Sequence, residues 1–244
     1  MKLSFVIPAY NEESYIGDCL KSIFKETKGK SFDTEIIVVN NASSDRTKEV
    51  ARSFPGVQVI DETRKGITYA RQAGFMASKG DLIANIDADT RLPDGWLEKV
   101  FSEFSKNDNL VALSGPHISY DLPRVARIGF WFFYGLGYVI YIFNHYLLKK
   151  GAMLQGGNFI LCRAALEKIG GFDLGISFYG EDSDIARRIQ KVGRVKFTFS
   201  LPIYASGRRL KKEGIIKAGL RYALNYLWII FRKKPFSKEY QDIR

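Results

Sequence analysis

Along the first hundred residues, short unbroken apolar runs alternate with stretches in which apolar residues recur every three or four positions. The run LSFVIPA at 3–9 predicts a buried strand, because a strand covered on both faces reads as continuous apolar sequence. Asn11, Glu12, Glu13 and Ser14 then lead into a helix carrying Ile16, Leu20, Ile23 and Phe24 at helical spacing. EIIVVNN at 35–41 predicts a second strand, and ASSDRTKEVARSF after it a helix that Ser44 or Asp45 could cap. VQVID reads as a third strand, GITYARQAGFMAS as a helix, and DLIANIDAD at 81–89 as a fourth strand that runs straight into acids. This alternation predicts an α/β fold with a mostly parallel sheet flanked by helices. Ligands of such sheets bind beyond the carboxyl ends of the strands. Asn11, Asn40, Asn41, Asp87 and Asp89 all fall there.

Two later segments depart from that pattern. Residues 128–148 (IGFWFFYGLGYVIYIFNHYLL) carry no formal charge over 21 positions, a length that could cross a bilayer as one helix. Nine of those residues are aromatic, four of them Tyr, which favours the headgroup boundary over the hydrocarbon centre. A crossing would also separate the acids before the segment from those after it. An interfacial, re-entrant or protein-buried element is expected. The second segment is the end of the chain: residues 208–244 hold eleven Lys/Arg against three acids, while the preceding 207 residues hold 26 against 23. Most of the net charge of +11 therefore sits in a basic stretch containing the aromatic run YALNYLWIIF. Basic residues beside Trp, Tyr and Leu suit an anionic bilayer surface, the alternative being a helix packed on the domain with its lysines in water. Nucleic acid is not expected as a partner, since no recognised binding module accompanies the charge. The domain division expected is 1–207, with halves 1–115 and 116–207, followed by a basic amphipathic tail at 208–244.

The 244 residues are 46% hydrophobic and 26% charged, enough for a sizeable core and unlike a disordered or disulfide-stapled chain. Cys19 and Cys162 lie far apart, and His117 and His145 are the only histidines. A structural zinc site is therefore not expected, both histidines read as structural, and any divalent ion must be held mainly by carboxylates. The opening MKLSFVIPAYNEE does not read as a secretory signal, and a location inside the cell is expected.

The candidate chemistry begins with Asp87-Ala88-Asp89. If these residues continue the fourth strand, both carboxylates point to one face and could serve one ligand set, suited to Mg²⁺ or Mn²⁺ with waters and substrate phosphates completing the shell. No GxGxxG follows the first strand and no GxxxxGK[ST] occurs anywhere, so phosphate must be neutralised by other means. Alone, a DxD triplet is weak evidence, since surface turns produce it often.

Four ordered segments add to it: FVIPAYNEESYIGDCLKSI, EIIVVNNASSDRTKEVA, GITYARQAGFMASKGDLIANIDADTRLPDGWLEK, and GGNFILCRAALEKIGGFDLGISFYGEDSDIARRI. Together, over roughly residues 3–193, they resemble a family 2 glycosyltransferase, a nucleotide-sugar-dependent enzyme of the GT-A fold. The resemblance implies that Pro8, Ala9, Tyr10 and Glu12 form the loop that holds the nucleotide base, with Tyr10 able to stack on a pyrimidine. Where the family usually has an Asp pair, this sequence has Asn40 and Asn41, and the Asn41 amide oxygen could accept a uracil N–H. Arg71 corresponds to an arginine near the donor, suited to phosphate or to fixing an acid. Asp87, with Ala88 beside it, would contact the ribose or sugar, and Asp89 would ligate the metal with Asp87. Gly157, flanked by Gly156 and Asn158, resembles the loop that shapes the sugar pocket. Arg208 and Arg209 resemble a late loop that closes over the diphosphate, the alternative being plain attraction of the basic tail to a membrane.

Glu181-Asp182 corresponds to the family's acceptor-side acids. An inverting transfer needs a base for the acceptor hydroxyl, and Asp182 is the first candidate, Glu181 the second. The alternative is a pair of acids favoured by the first turn of the following helix. The function implied is metal-dependent, inverting transfer from a nucleotide-diphosphate sugar, UDP-sugar favoured, to a lipid-linked or membrane-borne glycan acceptor at the cytoplasmic membrane face. The alternatives are a polyprenyl-phosphate glycosyltransferase and a non-catalytic membrane-associated binding protein.

Overall fold

The computed structural model describes residues 1–123, 152–176 and 179–232, with 129, 131, 134, 135, 137–139, 141, 142 and 236 individually. Its centre is a seven-stranded sheet in the order β3-β2-β1-β4-β8-β6-β9: β1 (Lys2–Ala9), β2 (Asp33–Asn40), β3 (Val57–Asp61), β4 (Leu82–Ile86), β6 (Leu110–Ser114), β8 (Asn158–Cys162) and β9 (Arg194–Phe197). All pairings are parallel except those of β8, which runs antiparallel to both β4 and β6. The unbroken apolar runs of β1 and β2 have their cause here, since the sheet is covered on both faces. Leu3, Phe5 and Ile7 pack into one core with α1 (Ile16–Thr27) and α4 (Trp96–Ser105), while Val6 packs into the other with α3 (Ile67–Ala77). Helix α3 lies hard against the sheet at Gly74, where an added Cβ would stand 2.2 Å from Val6 Cγ1.

Short α2 (Thr47–Arg52) follows the turn whose Asp45 accepts the Thr47 N–H at 3.0 Å, as expected of a helix-start acid. One strand expectation is corrected. β4 ends at Ile86, and Asp87–Asp89 form a tight turn in which Thr90 Oγ1 donates to the Asp87 carbonyl at 2.7 Å. The two aspartates are thus not alternate residues of a strand. After the turn, β5 (Thr90–Arg91) joins β10 (Ile203–Ala205) and β7 (His117–Ser119) in a small second sheet that sequence periodicity did not foretell. This sheet carries the chain after β10 back to the DxD turn.

Helix α5 (Arg163–Lys168) follows β8, and α6 (Glu181–Ile189) follows Gly180, which has φ 84. Then come α7 (Arg208–Glu213) and α8 (Ile215–Arg232), which packs against α6 and α7 with Ala218, Asn225 and Ile229 buried. Most of the apolar segment at 128–148 lies outside the described residues; those described within it have helical backbone. Among the described residues, no helix is long and apolar enough to cross a membrane.

Candidate active site

Helix α3 places Arg71 beneath the carboxyl edge of the sheet, 1% exposed and stacked 4.8 Å over the Phe159 ring. Its guanidinium bonds Asp87 Oδ1 at 3.1 Å and Glu181 Oε1 on the other side. One buried cation thus ties the DxD turn to the first turn of α6, with Glu181 110 residues beyond Arg71 in sequence. Gly157, at φ 76, backs this arrangement: a Cβ there would meet Asp87 Oδ2 at 2.3 Å, so only glycine lets the β8 loop approach the carboxylate.

Burial pushes the Glu181 carboxyl up to about 7, against the opposing pull of Arg71. Burial likewise raises Asp182, despite bonds from the Ser183 and Gly156 N–H groups at 2.6 and 3.0 Å. The two acids are neighbours, and the Asp182 charge adds to the upward push on Glu181. Such a pair, raised toward neutrality beside a cavity, has the properties a general base needs.

Arg208 occupies the other acidic corner. It bonds Glu12, approaches Asp89 Oδ2 at 3.0 Å and lies 4.8 Å over the Tyr15 ring. Burial works against its charge, but Glu12 and Asp89 hold it more firmly protonated than usual. The contact is enforced by the small sheet, where the Ser206 N–H donates to the Asp89 carbonyl at 3.2 Å. That a cationic group sits against Asp89 and Glu12 marks the corner as one suited to positive charge. Among the described residues no cluster of three or more His, Cys, Asp or Glu forms a metal cage. Asp89 alone still fits Mn²⁺ or Mg²⁺, because these ions take one or two carboxylates and complete their shell with waters and substrate phosphates.

Pro8, Ala88, Asp87 and Asp89 line one cavity of about 490 Å³ together with Glu181 and Asp182. Ala9 stands behind, its carbonyl accepting the Asn41 N–H at 2.8 Å. Asn41 is engaged by the fold. Its amide nitrogen donates to the Glu62 and Arg64 carbonyls at 3.0 and 2.8 Å, and its oxygen accepts the Gly66 N–H at 2.8 Å. The amide oxygen expected to meet a uracil N–H therefore has a partner inside the protein, and the residue's evident work is to hold the 62–66 loop. Tyr10 is half-buried, with the Lys65 ammonium 3.9 Å over its ring and bonded to its hydroxyl at 2.6 Å. A base stacking on that ring would share it with Lys65.

Arg208 and Arg209, adjacent in sequence and read together as a diphosphate clamp, diverge. Arg209 turns to the α6–α8 side, bonding the Tyr179 hydroxyl at 3.2 Å and Glu213 at 3.1 Å. Arg221 from α8 reaches the same two groups at 2.9 and 3.0 Å. Tyr179, Arg209 and Tyr222 line the cavity at this end. Tyr179 and Tyr222 were not singled out in the sequence; the FYGED context of the first was its one signal. His117 lines the cavity too, with burial lowering its pKa to about 4, so it is neutral at physiological pH. Its backbone N–H donates to the Tyr134 hydroxyl at 3.0 Å, which continues to Gln155 at 2.8 Å.

The solved structure of a mannosyltransferase from Pyrobaculum calidifontis, in complex with GDP-Man and Mn²⁺, has a similar fold, with a TM-score of 0.72 at 20% identity over 95% of this chain and 63% of that one. A glycosyltransferase of Haloferax volcanii, AglE, is 34% identical over 127 residues, half of this chain and 41% of the relative. A dolichol-phosphate mannosyltransferase of Pyrococcus furiosus is 30% identical over 174 residues, 69% of this chain and 42% of the relative. The matched regions thus span less than half the length of these two curated relatives. The family model described as glycosyl transferase family 2 matches residues 4–170, from β1 through β8 and α5 and so across the DxD turn, and on that match the chain belongs to glycosyltransferase family 2.

Proposed function

We propose that the chain transfers a sugar from a nucleotide-diphosphate sugar, with a UDP-sugar favoured, to a hydroxyl of a lipid-linked or membrane-borne acceptor, with inversion. The observation that carries this reading is one cavity holding both an acid pair raised toward neutrality (Glu181 and Asp182) and an acid corner suited to cations (Asp89 and Glu12). Asp182 takes the proton of the acceptor hydroxyl as its oxygen attacks the anomeric carbon, and the bond from that carbon to the diphosphate breaks. Arg71 holds Glu181 and Asp87 in place, so the base keeps a fixed neighbour and the donor sugar a fixed wall. A divalent ion on Asp89, with Asp87 nearby, would supply charge neutralisation for the departing nucleotide diphosphate. Arg208, drawn from Asp89 and Glu12, is placed to share that work as a planar donor to phosphate oxygens. The basic, aromatic α8 supports work at the inner face of a membrane.

The test is binding and hydrolysis of UDP-, GDP- and dTDP-sugars by the purified protein with Mn²⁺, with and without EDTA. Metal-dependent binding of one class is the expected outcome. No binding by folded protein with metal present would sink the reading and favour a non-catalytic membrane-binding protein. A second reading, transfer to a polyprenyl phosphate, draws on the dolichol-phosphate enzyme among the relatives. A phosphate nucleophile is already ionised, so under that reading Asp182→Asn would leave turnover intact.

A further inference from the structure

The cavity has a second charged end that the transfer step does not use. Of the seven Lys/Arg of the α7–α8 segment, 208–232, Arg208 pairs with Glu12 and Asp89 and Lys211 with Asp121, and the segment's single acid is Glu213. Among the described residues, Arg209 and Arg221 converge on that one carboxylate and on the Tyr179 hydroxyl. Glu213 is deeply buried, its side chain 5% exposed, so this wall is positive and built around a fixed core of contacts. The opposite wall is negative, since Asp87 and Glu181 share the single guanidinium of Arg71 and Asp182, held by the Ser183 and Gly156 N–H groups, adds a third carboxylate. Tyr222 lines the same cavity as Asp182 and Arg209.

A bound acceptor must satisfy both walls. A phosphate dianion reacting beside Asp182 would face three carboxylates, whereas a neutral hydroxyl fits there as a proton donor. A phosphate fits at Arg209. Outside the cavity, α8 turns Leu220, Leu224 and Trp228 outward at successive helical turns, 57%, 42% and 40% exposed. Leu220 also lines the cavity, so this apolar stripe begins where the positive wall ends.

We propose that Arg209, with the Tyr179 hydroxyl, binds the phosphate of a lipid-linked acceptor whose sugar hydroxyl reacts at Asp182, while its hydrocarbon chain lies along Leu220, Leu224 and Trp228. Arg221 and Glu213 are positioning residues that hold Arg209 and Tyr179. The inference rests on the glycosyl-transfer reading above, and it names the acceptor class as a sugar carried on a lipid phosphate or diphosphate.

The experiment measures equilibrium binding of farnesyl diphosphate, farnesol and inorganic phosphate to the full chain with Mn²⁺ and the nucleotide present. Farnesyl diphosphate is expected to bind at least tenfold more tightly than farnesol or phosphate. Arg209→Gln should weaken it about tenfold and Arg209→Lys far less, while Leu220→Ser with Trp228→Ser should weaken it without changing the weak binding of phosphate. Glu213 keeps Arg221 as a partner in the Arg209 variants, and thermal melting checks their fold. If Arg209→Gln melts early, Tyr179→Phe carries the test, with a loss of threefold or more expected. Equal affinity for farnesol, or no response to either substitution, overturns the phosphate subsite. Equal affinity for inorganic phosphate overturns the lipid assignment. Absence of nucleotide-sugar binding by the unmodified protein is a separate result, and that one counts against glycosyl transfer itself.

Discussion

The two ends of the cavity handle charge in opposite ways. At the DxD end Arg71 spans Asp87 and Glu181, Arg208 spans Glu12 and Asp89, and Asp182 is held by the Ser183 and Gly156 N–H groups. At the α7–α8 end two guanidiniums share Glu213, and the remaining lining is aromatic and aliphatic. Matching is what permits buried acids at all, since an uncompensated charge out of water costs several kcal/mol. At the other end Arg209 and Arg221, with side chains 15% and 20% exposed, are both held on the one buried carboxylate of Glu213. Under the proposed transfer, the DxD end would trade its internal ion pairs for ligand and metal. The far end reads as one that awaits an anion.

Substitutions sharpen that contrast in graded steps. Asp182→Asn should lower kcat by about 10²–10⁴-fold while donor affinity is retained, measured by steady-state turnover and nucleotide binding. Arg71→Ala leaves Glu181 buried without its counter-charge and removes the partner of the half-exposed Asp87, and should destabilise the fold by about 3–5 kcal/mol in chemical denaturation. Gly157→Ala strains a residue at φ 76 and drives a methyl into Asp87, with an expected cost of about 1–3 kcal/mol and weaker donor binding.

The pH dependence of stability follows from Glu181. Its carboxyl lies near 7 in the fold and at 4.5 when unperturbed, so between those values the folded chain holds a proton that the unfolded chain has released. Stability from this group is full below about 4.5, falls as pH rises toward 7 and levels off above it. A melting series across that window should show the slope, and Glu181→Gln should flatten it. The smallest effect is expected at the far end: Leu220→Ser with Trp228→Ser should change stability by no more than about 0.5 kcal/mol per site, because both are exposed. The same pair should reduce binding to anionic lipid vesicles, and unchanged binding would remove α8 from the membrane contact.

Much of the fold of residues 3–89 was legible, because each element there announces itself locally. The buried strands β1, β2 and β4 are continuous apolar runs, and α1 repeats its core residues Ile16, Leu20 and Ile23 with helical period. The acids of the DxD turn were legible as residues but not in their geometry, since the strand stops at Ile86 and each aspartate meets a different arginine. Arg71 was singled out in the sequence, with fixing an acid as one of its readings, yet its bond to Glu181 was not legible, because nothing local records a partner 110 positions away. Asn41 misled in a simple way: an amide at a strand end looks available for a base until the 62–66 loop is seen to use it.

By itself the sequence determined the alternation of buried strands and helices, the gathering of polar residues at one sheet edge and the concentration of positive charge after residue 207. These follow from side-chain periodicity and composition, which act within a few residues of chain. The tertiary structure alone decided which charges meet. The small β5-β10-β7 sheet brings Arg208 to Asp89 and Glu12, while the start of α7 turns Arg209 the other way, toward Tyr179 and Glu213. Two neighbouring arginines look interchangeable in a sequence. They differ in the fold because their surroundings are built from strands and helices distant along the chain, and burial makes each guanidinium depend on the acid it finds there.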